Sequence, residues 1–263
     1  MQSYNLKKLR LKNLSLTVLL IVITLLSACA SKNNQPELMD KDSKPLRASP
    51  QLNESDESDI ETGIPDPIYP WNRFWFEFNS YAVDYVVRPV YKTYDFITPD
   101  PVQTSVGNFF HNILFPVRFV NSLLQFKFKQ AGVEMSRFVL NTTYGVGGLF
   151  DPAADKKAIV ETDDEDFGQT LGNWGVGEGF YIVWPLLGPS TPRDTVGKVG
   201  DFFLDPVNYV DPWELRTGAN VLKNVNNSGE IIKQFDTLNE MSVDPYSAMR
   251  NAYIQRRRAQ IAK

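Results

Sequence analysis

The chain has 263 residues, a formal charge of −4, one cysteine and one histidine. One cysteine excludes an internal disulfide, and one cysteine with one histidine leaves too few ligands for a His/Cys metal centre. The acidic balance excludes a broad phosphate-binding surface for nucleic acid, and it deepens to −8 without residues 1–28, which hold four basic side chains and no acidic one.

The first 28 residues read as a secretory signal. Lys7, Lys8, Arg10 and Lys12 precede an apolar run from Leu14 to Leu26. That run is short for a membrane span, which needs about 20 residues. Leu26-Ser27-Ala28-Cys29 follows and looks like a bacterial lipobox, with Cys29 the residue to be acylated. Several acyl chains on Cys29 hold a protein at a membrane where one gives only marginal binding. Ala30 stands where Asp would favour the inner membrane, so by analogy with enterobacterial sorting the destination is the outer one. Residues 29–65 lack hydrophobic periodicity and carry the acidic run Glu54–Asp59. They read as a disordered tether with a span of roughly 30–40 Å.

The folded domain is expected over residues 66–256, followed by a basic end at 257–263. Apolar residues at 71, 74, 75, 78, 82 and 85 have the spacing of an amphipathic helix. Its aromatics wrap more than one face, so it suits a core or a membrane interface, with Trp71, Phe74, Trp75 and Phe78 as the interfacial candidates. Further helices are predicted to start at Arg88-Pro89 and at Asp100-Pro101, with Asp100 as the cap and a kink or new start at Pro116. Gln130–Thr143 is another, closed by Gly145, Gly147 and Gly148. Gly172, Gly175, Gly177 and Gly179 precede Phe180–Trp184, which suggests a glycine-rich loop or hairpin with a short strand. These glycines form either static turns or a flexible loop beside a ligand path. Helices resume over 191–204, over 212–239 with a possible break at Asn226–Gly229, and from Asp244-Pro245. The fold class is therefore mainly α, built of short proline-initiated helices with a small glycine-rich hairpin.

Little in the sequence carries covalent chemistry. His111 sits in an apolar helical run, and there is neither a Gly-x-Ser-x-Gly elbow nor a Walker A motif. The acidic run Glu161–Asp166 lacks the ligand spacing of an EF-hand; its last acid is placed to cap a helix at Phe167. Arg256-Arg257-Arg258 is either a solvated helix end or a clamp on anionic headgroups. No cofactor and no metal are expected.

Several blocks in collinear order resemble the MlaA (VacJ) lipoprotein family. They include Asn72-Arg73, Phe78-Asn79, Arg88-Pro89-Val90, Val106–Phe110 and Arg137-Phe138 with Asn141-Thr142. Gly145–Asp151, Asp166–Gly172, Trp174–Gly177, Pro185–Ser190 with Arg193-Asp194, and Asp244-Pro245-Tyr246 continue the series. The resemblance implies a helical ring or disc embedded in one leaflet of the outer membrane and crossed by an amphipathic channel. It also implies partners: phospholipid, an outer-membrane porin trimer and a soluble periplasmic lipid carrier. The activity implied is removal of misplaced phospholipid from the outer leaflet, without covalent catalysis. The competing readings are a structural porin-associated lipoprotein and a periplasmic lipid hydrolase.

Overall fold

In the computed structural model the described residues are 64–160 and 163–263. The signal segment, Cys29 and the tether lie outside them. Among the described residues the structure is helical apart from one two-stranded hairpin, as the sequence predicts. No helix among them is long and apolar enough to cross a membrane.

The first helix, α1 (Tyr69–Ala82), has Pro70 in its first turn. It does not end before Arg88-Pro89. A π-turn over Val83–Val87 carries it without interruption into α2 (Arg88–Ile97), and the Arg88 N–H donates to the Val83 carbonyl. A proline inside a helix lacks its N–H and collides with the carbonyl four residues back. The wider π-turn supplies room for it, so Pro89 sits inside a continuous helix rather than at a new start.

Helix α3 (Asp100–Ile113) begins one residue earlier than expected. Pro99 holds the N-cap position, and Asp100 lies in the first turn, where its charge suits the helix dipole but makes no cap bond. Pro116 stands in the first turn of α4 (Phe115–Leu124), a new start rather than a kink. Helix α5 (Phe128–Thr143) ends at left-handed Val146, Gly147 and Gly148. Arg137 then ties the following loop back, donating to Asp151 at 2.7 Å.

Asp166 caps α6 (Phe167–Asn173) by accepting from the Gln169 N–H, and Thr191 caps α7 (Pro192–Leu204) in the same way through Asp194. Between them β1 (Ile182–Trp184) and β2 (Gly188–Ser190) pair antiparallel, Val183 opposite Pro189. Gly172 thus lies in the last turn of α6, and Gly175, Gly177 and Gly179 in the segment between it and the hairpin, not in the hairpin itself. Helix α8 (Trp213–Met241) runs unbroken through Asn226–Gly229. Gly229 is a contact point, since a Cβ there would lie 2.4 Å from the Tyr91 hydroxyl on α2. Asp244 caps α9 (Pro245–Ile261), so the expected boundary at 256 falls inside a helix.

The core gathers around the hairpin: Ile64, Phe76, Tyr181, Val183, Tyr246, Met249 and Ile254. Ile64 is already buried in it, two residues ahead of the expected domain start. Two asparagines of α1 secure β1. Asn72, fully buried, donates to the Tyr181 carbonyl at 2.9 Å and accepts from the Val183 N–H at 2.7 Å. Asn79, two turns on, treats the Trp184 carbonyl and the Leu186 N–H in the same way. Each carboxamide imitates a peptide group, so buried strand atoms keep their hydrogen bonds without a third strand.

Candidate functional site: a polar passage and an apolar pocket

Helix α8 carries Asn220, Lys223, Asn224 and Asn227 at positions i, i+3, i+4 and i+7, which places them on one face. That face lines two contiguous hollows of about 630 and 350 Å³, which share Leu114, Arg118, Asp164 and Lys223. Asn108 and His111 of α3 and Lys198 and Asp201 of α7 complete much of the polar lining. On the opposite face of α8, Leu215 and Leu222 are exposed. A helix that turns polar groups inward and apolar groups outward inverts the pattern of a water-soluble bundle.

The charges of this passage are anchored. Arg118 Nε donates to the buried Glu134 at 2.8 Å, and its Nη1 holds the His111 carbonyl at 2.9 Å. Lys223 pairs with Asp205 at 3.1 Å. Asp201 accepts from the Asn121 side chain at 2.9 Å and from the Phe167 N–H at 3.0 Å. Burial, reinforced by the nearby Asp166, pushes the Asp201 carboxyl up to about 6. Its ordinary value is 3.8, so the folded protein holds more protons here than the unfolded chain between about pH 4 and 6. Stability from this group is therefore fully present below that window and lost as the pH rises through 6. Both donors reach Oδ1, which the amide oxygen of asparagine can replace. Asp201→Asn is expected to flatten the pH dependence of stability in this window and to raise stability at pH 7 by about 1–2 kcal/mol. Thermal denaturation of both forms at pH 4.5 and 7 measures this; an unchanged slope contradicts it.

A third hollow is predominantly apolar. It measures about 350 Å³ and lies between α1 with its π-turn, the hairpin, α8 and α9. Its walls include Phe76, Val83, Leu186, Ile231, Phe235 and Met249, with Arg256 among the few polar members. The hairpin tip contributes Leu186 in a left-handed conformation, held there by the Asn79 bond to its N–H.

The outside of the described domain is rich in exposed apolar side chains. On α1, Trp71, Phe74 and Phe78 are exposed at 47, 60 and 43%. Trp75, expected beside them, is instead part-buried against the core. It forms the floor of the cluster, edge-on to all three at centroid distances of 5.5, 5.1 and 5.2 Å. Phe96 and Ile97 at the end of α2, Phe126 and Phe128 between α4 and α5, and Phe202 and Phe203 on α7 are also exposed. Apolar surface on this scale marks contact with lipid or another protein.

The glycines of 172–179 line none of these hollows. Three have a static explanation. A Cβ on Gly172 would strike Ile261 at 2.7 Å, while Gly175 and Gly179 have φ of +87° and +80°. The segment is pinned by Trp174 Nε1 donating to the Leu124 carbonyl and by the Glu178–Arg258 ion pair. Gly177 alone has room around it and an ordinary φ. The three arginines likewise part company. Arg257 is buried and clamps two carboxylates: Asp166 at 2.6 and 2.9 Å, Asp194 at 3.0 Å through both Nε and Nη2. Arg258 pairs with Glu178, while Arg256 faces the apolar pocket. In the acidic run, Glu165 is buried and accepts from Lys127 and Gln125 at 2.8 Å each. Among the passage-lining residues, sequence patterns draw attention to His111 and to the acidic run, though not to this role, and the four-residue polar stripe on α8 is visible there.

Residues 64–260 match the family model described as MlaA lipoprotein. The chain is 35% identical over 199 residues to the intermembrane phospholipid transport system lipoprotein MlaA of Escherichia coli, covering 74% of this chain and 78% of that one. The lipoprotein of the same description from Haemophilus influenzae is 34% identical over 199 residues, with 72 and 76% covered. A solved chain from the work "Structural basis for maintenance of bacterial outer membrane lipid asymmetry" superposes with a TM-score of 0.64 at 33% identity, covering 74% of this chain and 98% of that one. The chain belongs to the MlaA lipoprotein family.

Proposed function

We propose that this protein, acylated on Cys29, removes misplaced phospholipid from the outer leaflet of the outer membrane and passes it to a soluble periplasmic carrier. The observation that supports this most is the inverted polarity around α8, with polar side chains on the passage and apolar ones outside. A phospholipid must keep its tails in hydrocarbon and its headgroup among polar partners. A disc lodged in the inner leaflet by its exposed aromatics meets both demands: the passage receives the headgroup while the tails stay with apolar surface. Arg118, Lys198 and Lys223 supply positive charge toward a phosphate there. Association with a porin trimer would steady the disc and belongs to the same proposal. Nothing in this route requires a bond to be made or broken.

The test is phospholipid content of the outer leaflet in host cells with the gene, without it, and with Cys29→Ala. Deletion is expected to raise that content several-fold, and the unacylated variant is expected not to restore it, because anchoring needs more than one chain. No rise on deletion, with porin binding intact, would instead make the protein a scaffold.

A further inference from the structure

We infer that the apolar pocket between the hairpin, α8 and α9 receives one acyl chain of a phospholipid, whose phosphate group sits on Arg256. The inference rests on the transport reading and adds a holding site distinct from the polar passage. At about 350 Å³ the pocket has the size of small-ligand sites, and an apolar cavity of about 150 Å³ already takes a benzene ring. Phe76, Val83, Phe235 and Met249 on its walls offer a flexible chain nothing but hydrocarbon and thioether contacts. Water gains little in such a space, so a chain end that enters it is removed from water at a favourable free energy.

Arg256 fixes the polarity of the occupant. Arg257 is committed to Asp166 and Asp194, and Arg258 to Glu178. Arg256, just ahead of them in sequence, is exposed, lies on the pocket lining, and makes no hydrogen bond or ion pair among the described residues. An exposed member of the lining stands where the pocket meets its surroundings. An uncommitted guanidinium at the open side of an apolar hollow matches a long chain ending in a phosphate, with two parallel N–H bonds available to it. The flanking Leu186, Leu187 and Ile231 are exposed as well, which gives the chain an apolar path inward from the surrounding hydrocarbon.

The full-length lipoprotein in nanodiscs, doped with a phosphatidylglycerol bearing a diazirine midway along one acyl chain, tests this. After illumination, inner adducts are expected on Phe235 and Met249 as well as outer ones on exposed Phe74 and Phe96. Ala252 is an exposed lining residue, so Ala252→Trp fills the pocket from outside and is expected to cut the inner adducts about tenfold while sparing those on Phe74 and Phe96. Arg256→Gln is expected to cut them about five- to tenfold. Ala252→Leu gives an intermediate loss and guards against misfolding of the tryptophan variant, with melting curves as the check. Adducts confined to Phe74 and Phe96, or inner adducts untouched by both Ala252→Trp and Arg256→Gln, would overturn the pocket. If deletion raises outer-leaflet phospholipid but inner adducts are absent, the pocket fails and the transport reading stands. Inner adducts without a deletion phenotype would keep the pocket as a lipid-holding site and remove the transport reading.

Discussion

Replacing Arg257 by methionine is expected to lower the unfolding free energy by about 3–4 kcal/mol at neutral pH, because it strands the buried Asp194 and removes the partner of the half-buried Asp166. Burial by itself pushes Asp194 upward. The hydrogen bonds and charge of Arg257, with help from Tyr253 and Arg193, outweigh it and bring the carboxyl down to about 2. Asp166 is lowered too, its burial overcome by Arg257 and by the Gln169 bonds. Both folded values lie below the ordinary 3.8, so their stabilisation is fully present above about pH 4 and is lost as the pH falls toward 2. For Asp194 alone this is on the order of 2 kcal/mol. The deficit of Arg257→Met is therefore expected to be largest at pH 7 and to narrow below pH 4. Chemical denaturation in detergent at pH 7 and pH 3 measures both. An equal deficit at the two values would show that lost packing, not lost charge, is responsible. Arg257→Lys recovers only part, since an ammonium cannot bridge two carboxylates with parallel bonds.

Gly197→Val is expected to prevent accumulation of folded protein, and Gly197→Ala to destabilise it by about 3 kcal/mol, at the upper end for overpacking. Where α7 crosses α6, a Cβ on Gly197 would lie 2.4 Å from the Gly168 nitrogen and 2.6 Å from its Cα. These are backbone atoms and cannot rotate away. A Cβ on Gly168 in turn would meet Arg257 Nη2 and Asp194 Oδ1 at 2.7 Å each. The close crossing is what brings the two aspartates within reach of one guanidinium, so the sites are coupled. Gly197→Ala combined with Arg257→Met is expected to cost less than the sum of the two. Gly218→Ala on α8 is the contrast: nothing lies within 4 Å of the added carbon, and helix propensity predicts a gain of about 0.5–1 kcal/mol. Equal behaviour of Ala at 197 and 218 would contradict the crossing argument.

Much of the secondary structure is legible in the sequence because prolines, caps and polar turns are local signals. Pro116, Thr191, Asp166 and Asp244 act within one helical turn and stand where the pattern puts them. Pro89 misleads because its accommodation depends on a π-turn, which has no composition of its own. Asn226–Gly229 misleads because a glycine chosen for the approach of Tyr91 looks in sequence like one chosen to end a helix. The aromatic stretch of α1 cannot be divided by spacing alone, and Trp75 goes to the core side because Trp71, Phe74 and Phe78 close over it. The polar passage is hidden for a different reason. Its lining comes from α3, α4, α7 and α8, and only the stripe on α8 is contiguous enough to be seen before the helices are packed. Arg256, Arg257 and Arg258 look equivalent in sequence, and only the positions of Asp166, Asp194 and Glu178 distinguish them.

The two asparagines of α1 have a bearing on how copies of this protein treat one another. A lone hairpin ordinarily offers two open margins, each able to recruit a strand from a neighbour and begin an intermolecular ladder. Here one margin is already engaged, because Asn72 and Asn79 occupy the Tyr181 and Trp184 carbonyls and the Val183 and Leu186 N–H groups. The other strand carries Pro189, which has no N–H to give, and it packs against α9. A surface so greasy has many ways to stick to its like before it reaches lipid. Templated β-polymerisation through this hairpin is not among them.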